Sequence, residues 1–307
     1  MGATAGGKTD IALSLARRIK GEIISVDSRQ TFKLLQAGTA KPEGKWLGGS
    51  YAAEGINYHL VDIIDADQTY SAAAFAAQAK KTQKEINSRN SAAIFAGGTG
   101  LYIHSFFIGL DELPPADKKI RAELTDSIKK DGNLAMHKKL QKIDPLSAKK
   151  IPPQNTQRLI RAMEIYQLTG KPISSFHTKN TANLPSDKAL FVLLNWDKQL
   201  LHKRIEQRTQ NIFNPMVEET KKLLALGYKS DCPALKSLGY KEILDFISGK
   251  ITKPQAIEKI IKLTKAYAKR QVTWFKRYKN ILSIDIENKA QWQIEKITEQ
   301  IINEWKK

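Results

Sequence analysis

The chain has very little cysteine and no long apolar run. Its 307 residues include a single cysteine, Cys232, which excludes an intramolecular disulfide and a zinc site built on cysteines. The sequence shows no secretory signal, lipidation motif or long apolar span, so we expect a cytoplasmic protein with no membrane partner. The length suits one large domain, or one domain with a smaller insertion.

Acidic residues are scarce relative to basic ones. The chain carries 50 Lys and Arg against 31 Asp and Glu, which gives a formal net charge of +19. Such an excess favours a polyanionic partner, and a nucleic acid ranks before a membrane surface because no membrane segment is found. A lysine-rich surface that only keeps the protein soluble would give the same count, so charge alone does not decide.

The strongest motif lies at the start of the chain, where residues 2–9 match a phosphate loop, with a glycine, four residues and then Gly-Lys-Thr. Lys8 supplies a mobile positive charge, and the Thr9 hydroxyl can ligate a magnesium ion. Apolar residues at helical spacing predict a helix over residues 8–20 that is closed by Gly21. The dipole of this helix favours an anion at the loop. The motif predicts a site for a diphosphate or triphosphate, lined by Gly2, Ala3, Thr4, Ala5, Gly6, Gly7, Lys8 and Thr9.

One part of the usual motif is missing. A phosphate loop normally follows a buried strand, and here only Met1 precedes Gly2. We expect the sheet to lack its first core strand, and we expect the functional protein to begin upstream with ~5–10 further apolar residues.

The next segments alternate between strand-like and helical patterns. Strands are predicted at residues 22–26, 58–64 and 92–96, with helices over 71–87 and after the glycine-rich turn at 97–100. This alternation predicts an α/β fold, a P-loop NTPase-like parallel sheet with helices on both faces. Asp27 directly follows a predicted strand, so the topology places it near the phosphates, and Lys41 is a further basic residue available for an anion.

A second region interrupts this alternation after Pro114 and Pro115. Helices are predicted over residues 117–130, 134–143 and 155–169, and strand character returns at 189–194. We assign residues 1–111 and 186–307 to a discontinuous core domain, and residues 112–185 to an inserted helical domain. In the core, Arg204 and Arg208 recur at helical spacing and are candidates for closing over phosphates.

The last part of the chain is strongly basic. Between Lys253 and Lys279 nine Lys and Arg face a single acid, and four aromatic residues lie among them. Basic residues with aromatics can hold a nucleic-acid backbone and stack bases, although core packing explains some of the aromatics equally well. A strand at 281–286 and a closing helix end the chain.

Together these segments resemble the bacterial tRNA dimethylallyltransferases, which prenylate an adenine next to the anticodon. Gly6 stands where that family commonly has serine, and Arg29 where it commonly has methionine; both changes leave the chemistry possible. The resemblance covers nearly the whole chain. The matching segments occur in the same order as in that family, and they are residues 2–9, 23–30, 38–42, 97–103, 157–166, 168–173, 238–242 and 269–276.

The resemblance implies a reaction. Dimethylallyl diphosphate would place its diphosphate on the loop, where Lys8, Thr9, a magnesium ion and an arginine neutralise the leaving group. The target adenine would be flipped from the anticodon loop into a channel. Asp27 would act as general base on its N6 amine, and Thr99 would hydrogen-bond that amine and hold it in line.

The resemblance also implies a tRNA interface in which the inserted helices clamp over the anticodon stem-loop. We expect the protein to act as a monomer. Besides Asp27 and Thr99, the residues expected to contact tRNA are Ser28, Arg29, Gln30, Arg121, Gln157, Arg158, Leu159, Ile160, Arg161, Lys236, Tyr240, Lys241, Lys269, Arg270, Gln271 and Lys276.

Two other functions compete with this one. A small-molecule kinase would use the loop for ATP, but it leaves the net charge and the later motifs unexplained; ATPase or kinase activity without RNA would favour it. A non-catalytic RNA-binding protein with a vestigial loop is the second alternative. Binding to tRNA without diphosphate release would favour that function.

Overall fold

The computed structural model describes residues 1–177, 184–185, 189–288 and 292–307. The chain divides into two compact units, which are described separately. Unit 1 holds Met1–Gly109 and Thr181–Lys307, and unit 2 holds Leu110–Asn180. The predicted return to the core domain at residue 186 lies outside the described residues. Within the described ranges, no helix is long and apolar enough to cross a bilayer.

Unit 1 contains a five-stranded sheet in the order β2-β3-β4-β1-β5. Its strands are β1 (Gly21–Val26), β2 (Lys45–Leu47), β3 (Ser50–Ala53), β4 (Ile56–His59) and β5 (Ala92–Gly97). The predicted parallel arrangement is confirmed for β4, β1 and β5, whereas β2, β3 and β4 form an antiparallel meander. The sequence pattern did not predict β2 and β3, because three or four residues are too few to show an alternation.

A second, two-stranded sheet in unit 1 pairs β6 (Val192–Trp196) with β7 (Leu282–Ile286) in parallel. Gly2 forms a single parallel bridge to Leu194, whose N–H donates a 3.0 Å hydrogen bond to the Met1 carbonyl. Within the described part of the chain, no strand lies between β5 and β6. Side chains from both strands line a cavity of about 360 Å³ there, together with residues of the first helix.

Ten α-helices connect or flank these strands in the described residues. They are α1 (Lys8–Ile19), α2 (Ala72–Ser88), α3 (Gly100–Phe107), α4 (Lys118–Ile143), α5 (Pro145–Lys150), α6 (Thr156–Thr169), α7 (Lys198–Ala225), α8 (Tyr240–Ile247), α9 (Lys253–Phe275) and α10 (Ile294–Trp305). The predicted end of α1 at Gly21 is wrong by one residue, because Lys20 adopts the left-handed conformation and Gly21 already opens β1.

Helices cover both faces of the sheet, as predicted, and β1 shows why. All six of its residues are buried. Ile23 packs in a cluster with Leu13 and Ala16 of α1, whereas its neighbour Ile24 packs with Phe75 of α2. Successive side chains of a strand point to opposite faces, so these two neighbouring isoleucines show that β1 is covered on both sides.

All the secondary-structure elements of unit 2 in its described residues are helices, as predicted for the insertion. It contains α4, α5, α6 and a 3-10 helix at Ile173–Phe176. The two helices predicted at 117–130 and 134–143 are the two parts of α4, which Gly132 separates with a non-helical φ of 80° and ψ of 161°. Leu124, Leu140 and Leu159 belong to its apolar core.

Two predicted strands differ from the observed ones. Of residues 58–64 only the first two lie in β4, because Leu60 and Asp62 take positive φ angles and turn the chain. The strand predicted at 189–194 begins at Val192 instead and extends to Trp196.

Candidate active site

The phosphate loop, residues 2–9, leads into the first turn of α1. Gly7 precedes the helix with a φ of 70°, and a Cβ there would lie 2.2 Å from the ring of Trp292, so both conformation and space require glycine. The Nζ of Lys8 donates a 2.6 Å hydrogen bond to the carbonyl of Ala3. Burial lowers the pKa of Lys8 to about 8, so its charge depends on pH close to neutrality.

Two arginines on α7 lie against this loop. The Nε of Arg204 donates a 2.8 Å hydrogen bond to the carbonyl of Ala5. An Nη atom of Arg208 lies 3.4 Å from the hydroxyl of Thr4, and burial lowers the pKa of this guanidinium. The helical spacing predicted that the two arginines share a helix face, and the structure brings both to the phosphate loop.

Two tryptophans also contact the loop, and the sequence did not identify either of them. The indole N–H of Trp196 donates a 3.1 Å hydrogen bond to the carbonyl of Gly6. The guanidinium of Arg204 lies 4.5 Å from the ring centroid of Trp196 and 5.4 Å from that of Trp292. The tryptophans are far apart in the sequence, and no spacing relates them to the motif.

Asp27 and Thr99 lie at the carboxyl ends of neighbouring strands. The parallel register pairs Val26 of β1 with Gly97 of β5, so the polar turns after them share one edge of the sheet. The N–H of Thr99 donates to the carbonyl of Val26 at 3.0 Å, and its hydroxyl accepts from the N–H of Ser28 at 3.0 Å. The structure therefore brings together the two residues that the resemblance assigns to catalysis.

Two cavities adjoin at Asp27. The first, of about 550 Å³, contains the loop residues from Thr4 to Asp10. The second, of about 510 Å³, contains Thr99 and several apolar side chains, namely Ile205, Ile212, Met216, Leu238 and Ile260. Asp27 and Arg208 line both cavities. The cavity of the phosphate loop thus meets a less polar one beside a carboxylate and a guanidinium.

Tyr267 is a further residue that the sequence analysis did not assign to the site. It lines both cavities. Burial, and then the nearby Asp27 carboxylate, raise the pKa of its phenol to about 12, so the hydroxyl keeps its proton at neutral pH. Its position on the basic, aromatic-rich helix was visible in the sequence, but nothing there distinguished it from a core tyrosine.

Four residues expected to contact tRNA have buried side chains, and for these side chains the prediction is corrected. Leu159 and Tyr240 are fully buried, and the Tyr240 hydroxyl donates to Glu219 at 2.8 Å. Gln30 accepts from the hydroxyl of Ser25 and donates to backbone carbonyls at 3.1 and 3.3 Å. Gln271 is 6% exposed. Each is held inside the protein by packing or by hydrogen bonds to other residues.

Two arginines of unit 2 expected at the tRNA have protein partners instead. Arg121 and Arg161 donate to the fully buried carboxylate of Glu164 at 2.8 and 2.7 Å, and Arg161 also donates to the Pro114 carbonyl at 2.7 Å. Burial alone would raise the pKa of Glu164, but these hydrogen bonds hold it below its usual range. Their charges therefore neutralise a buried acid before they attract RNA.

The other residues expected to contact tRNA remain accessible. Ser28, Thr99, Asp27 and Ile160 are partly exposed. The exposed ones, most of them basic, are Arg29, Gln157, Arg158, Lys236, Lys241, Lys269, Arg270 and Lys276. Lys41 was expected to be available for an anion, and this expectation is wrong. Its side chain is buried, pairs with Asp62 and donates a 3.0 Å hydrogen bond to the Phe32 carbonyl.

The chain is similar to known proteins of one family. A model of the IPP transferase family matches residues 30–278. The tRNA dimethylallyltransferase of Elusimicrobium minutum is 52% identical over 284 residues, which are 92% of each chain. That of Carboxydothermus hydrogenoformans is 40% identical over 99% of this chain and 95% of its own.

Solved structures of similar proteins give the same result. The tRNA isopentenylpyrophosphate transferase of Bacillus halodurans superposes with a TM-score of 0.67 at 33% identity, over 98% of this chain and 94% of its own. A eukaryotic dimethylallyltransferase acting on tRNA gives a TM-score of 0.71 at 26% identity, over 95% of this chain and 74% of its own. The chain belongs to the IPP transferase family.

Proposed function

We propose that this protein transfers the dimethylallyl group of dimethylallyl diphosphate to the N6 amine of adenine 37 in tRNA, next to the anticodon, and releases diphosphate. The observation that carries the proposal is the position of Asp27, which lines both the cavity of the phosphate loop and the cavity that contains Thr99. A transfer reaction needs this arrangement, because a leaving group and a nucleophile must meet beside one base.

The donor diphosphate binds along residues 2–9 and the start of α1, where backbone N–H groups and the helix dipole favour an anion. Lys8, Arg204 and Arg208 lie at this loop. As the bond between the allylic carbon and the diphosphate oxygen breaks, negative charge grows on the leaving group, and these cations stabilise it. The apolar side chains of the neighbouring cavity suit a hydrocarbon tail.

The acceptor adenine is flipped out of the anticodon loop, because its amine is not accessible in a base stack. The N6 nitrogen attacks the allylic carbon, forms the new C–N bond and passes a proton to the carboxylate of Asp27. The Thr99 hydroxyl already accepts from the N–H of Ser28. Its second lone pair is available for an N6 hydrogen, which holds the amine in line.

A magnesium ion fits the chemistry of the donor cavity. Magnesium takes oxygen ligands, keeps several waters and is usually held by one or two protein groups together with substrate phosphates. In the described residues no group of three or more His, Cys, Asp or Glu side chains could hold a metal alone. The Thr9 hydroxyl, which lines the loop cavity, would therefore hold the ion together with the diphosphate oxygens, where it would neutralise developing charge.

The tRNA contacts are proposed for the accessible basic residues, and for the helices of unit 2 at the anticodon stem-loop. A net charge of +19 supports attraction of a polyanion. Within this set, Arg29, Lys236, Lys269 and Arg270 are exposed, and Arg29, Lys236 and Arg270 also line the cavity of Thr99. We propose that a single protein chain binds one tRNA.

A direct assay tests the proposal. Protein, magnesium, dimethylallyl diphosphate and a tRNA transcript with adenine 37 are incubated, and the digested RNA is searched for prenyladenosine by mass spectrometry. The matched control is the same transcript with guanine at position 37, which should give no product. Absence of product from the adenine transcript, with protein that binds tRNA, would favour a non-catalytic RNA-binding protein.

A further inference from the structure

Gln271 links the phosphate loop to the turn that carries Thr99. Its side-chain oxygen accepts a 2.8 Å hydrogen bond from the N–H of Thr4, and its side-chain nitrogen donates a 2.8 Å hydrogen bond to the carbonyl of Gly98. The two partners are far from Gln271 in the sequence and belong to the two sides of the candidate active site. One buried amide therefore joins the donor side to the acceptor side.

The chemistry of the amide makes this link specific. An N–H needs an acceptor and a carbonyl needs a donor, so only one orientation of the Gln271 amide satisfies both partners. A side chain that only donates or only accepts would leave a buried polar group unpaired. Gln271 is 6% exposed, so water cannot easily replace either bond.

Close packing adds to the constraint. A Cβ on Gly98 would lie 2.2 Å from the side-chain nitrogen of Gln271, and a Cβ on Gly100 would lie 2.1 Å from the ring of Trp274. Gln271 and Trp274 are three residues apart on α9, so they occupy the same helix face. The glycines of this turn thus allow α9 to press directly on the backbone on either side of Thr99.

The link continues to the proposed base. Next to Gly98, Thr99 is hydrogen-bonded to Val26 and Ser28, the two neighbours of Asp27. The path from Thr4 through Gln271 and the turn to Asp27 therefore consists of short hydrogen bonds and adjacent residues.

We propose that Gln271 is a positioning residue, which sets the distance between the diphosphate site and the site of the attacking amine. The inference rests on the proposed transfer reaction. It also replaces the direct tRNA contact that the family resemblance implied for this side chain. In-line attack is sensitive to such a distance, since a misplacement of about 1 Å can cost about 10²-fold in rate.

The first test is Gln271→Met, which keeps the length of the side chain and loses both hydrogen bonds. We expect kcat to fall about 10- to 100-fold while the KM for tRNA changes less than about 2-fold. Gln300→Met is the matched control, because Gln300 is exposed on α10. An unchanged kcat, or an increase confined to the KM for tRNA, overturns the inference.

The second test uses Gln271→Glu. An ionised carboxylate accepts from Thr4 but cannot donate to Gly98, whereas a protonated carboxyl group does both. The activity of this variant, divided by that of the wild type at the same pH, should rise as pH falls. A ratio that stays constant across the pH range contradicts the proposed link.

A double-mutant cycle tests the contact between Gly98 and Gln271 directly. Gly98→Ala forces the new Cβ against Gln271 and should lower kcat strongly, but it should cost much less in a Gln271→Ala background. Equal costs in the two backgrounds overturn the inference.

Hydrogen exchange of the Thr4 amide provides a readout without turnover. The exchange should be faster in Gln271→Met than in the wild type or in Gln300→Met, and equal rates count against the link.

If the wild type makes no prenyladenosine, the proposed function fails, whereas an active wild type with an equally active Gln271→Met removes only this inference.

Discussion

The hydroxyl of Thr99 accepts a 3.0 Å hydrogen bond from the backbone N–H of Ser28. This contact joins the glycine-rich turn after β5 to the polar turn after β1, and Asp27 lies in the second of these turns. Parallel strands end at the same sheet edge, so two segments distant in sequence form one site.

Asp27→Asn should reduce turnover by ~10²–10⁴, the usual contribution of a general base. Binding of tRNA should change little, because the amide keeps the shape of the carboxylate. Single-turnover kinetics and a binding assay separate the two effects. Asp67→Asn, at an exposed position, is the control. Near-normal turnover of Asp27→Asn would exclude this residue from the mechanism.

Diphosphate binding should weaken as pH rises above about 8, because burial lowers the pKa of Lys8 to about 8 and the neutral amine no longer attracts the anion. A bound anion favours the charged form, so binding near this pH should take up protons. Calorimetry with pyrophosphate in buffers of different ionisation enthalpy measures the uptake. Lys8→Met should bind more weakly and lose this proton uptake; uptake that persists would place the titrating group elsewhere.

ATP should compete poorly with dimethylallyl diphosphate if the loop serves prenyl transfer, and Thr9→Val should mainly change the magnesium dependence. Both are measured by diphosphate release at varied ATP and magnesium concentrations. Tight binding and productive use of ATP would support the kinase alternative instead.

The two arginines of α6 should have different roles, with Arg158 binding tRNA and Arg161 stabilising the fold. Arg158 is exposed, so Arg158→Ala should weaken tRNA binding and reduce the slope of log affinity against log salt by about 0.7–0.9, without changing stability. Arg161→Ala should destabilise the protein by about 1–3 kcal/mol, because the buried carboxylate of Glu164 loses a partner. Thermal melts and salt titrations of both variants test this difference.

The same carboxylate predicts a pH effect on stability. Hydrogen bonds hold the pKa of Glu164 below its usual range in the folded protein. The unfolded chain therefore binds a proton first as pH falls, and the stabilisation is present above about pH 4.3 and lost below it. Melting temperatures of Glu164→Gln should vary less with pH in this range than those of the wild type.

An added N-terminal strand should stabilise the protein. Six apolar residues fused before Met1 can extend alongside β5 and fill the cavity of about 360 Å³ that side chains of β5 and β6 line. At about 25 cal/mol per Å² of buried apolar area, a few aliphatic side chains contribute several kcal/mol. A Gly- and Ser-rich extension of equal length is the control. Equal melting temperatures for the two fusions would contradict this account of the sheet.

Local patterns were sufficient for much of the fold. The segment at residues 22–26 predicts a strand, and β1 is one. The helices predicted over residues 71–87 and 155–169 are observed at Ala72–Ser88 and Thr156–Thr169, with Ser71 as N-cap of the first and Gly170 as C-cap of the second, because capping depends on a few neighbouring residues. The irregular segment after His59 was not predicted, because its positive φ angles leave no trace in the pattern of apolar residues along the sequence.

The sequence by itself determined the phosphate loop, the strand ends that carry Asp27 and Thr99, and the family, because these depend on residue order. Only the tertiary structure decided the roles of basic and amide side chains. Lys41, Arg161 and Gln271 look like ligands of a polyanion in the sequence, yet each satisfies a protein group. A buried polar atom must find a partner, and that partner can come from any part of the chain.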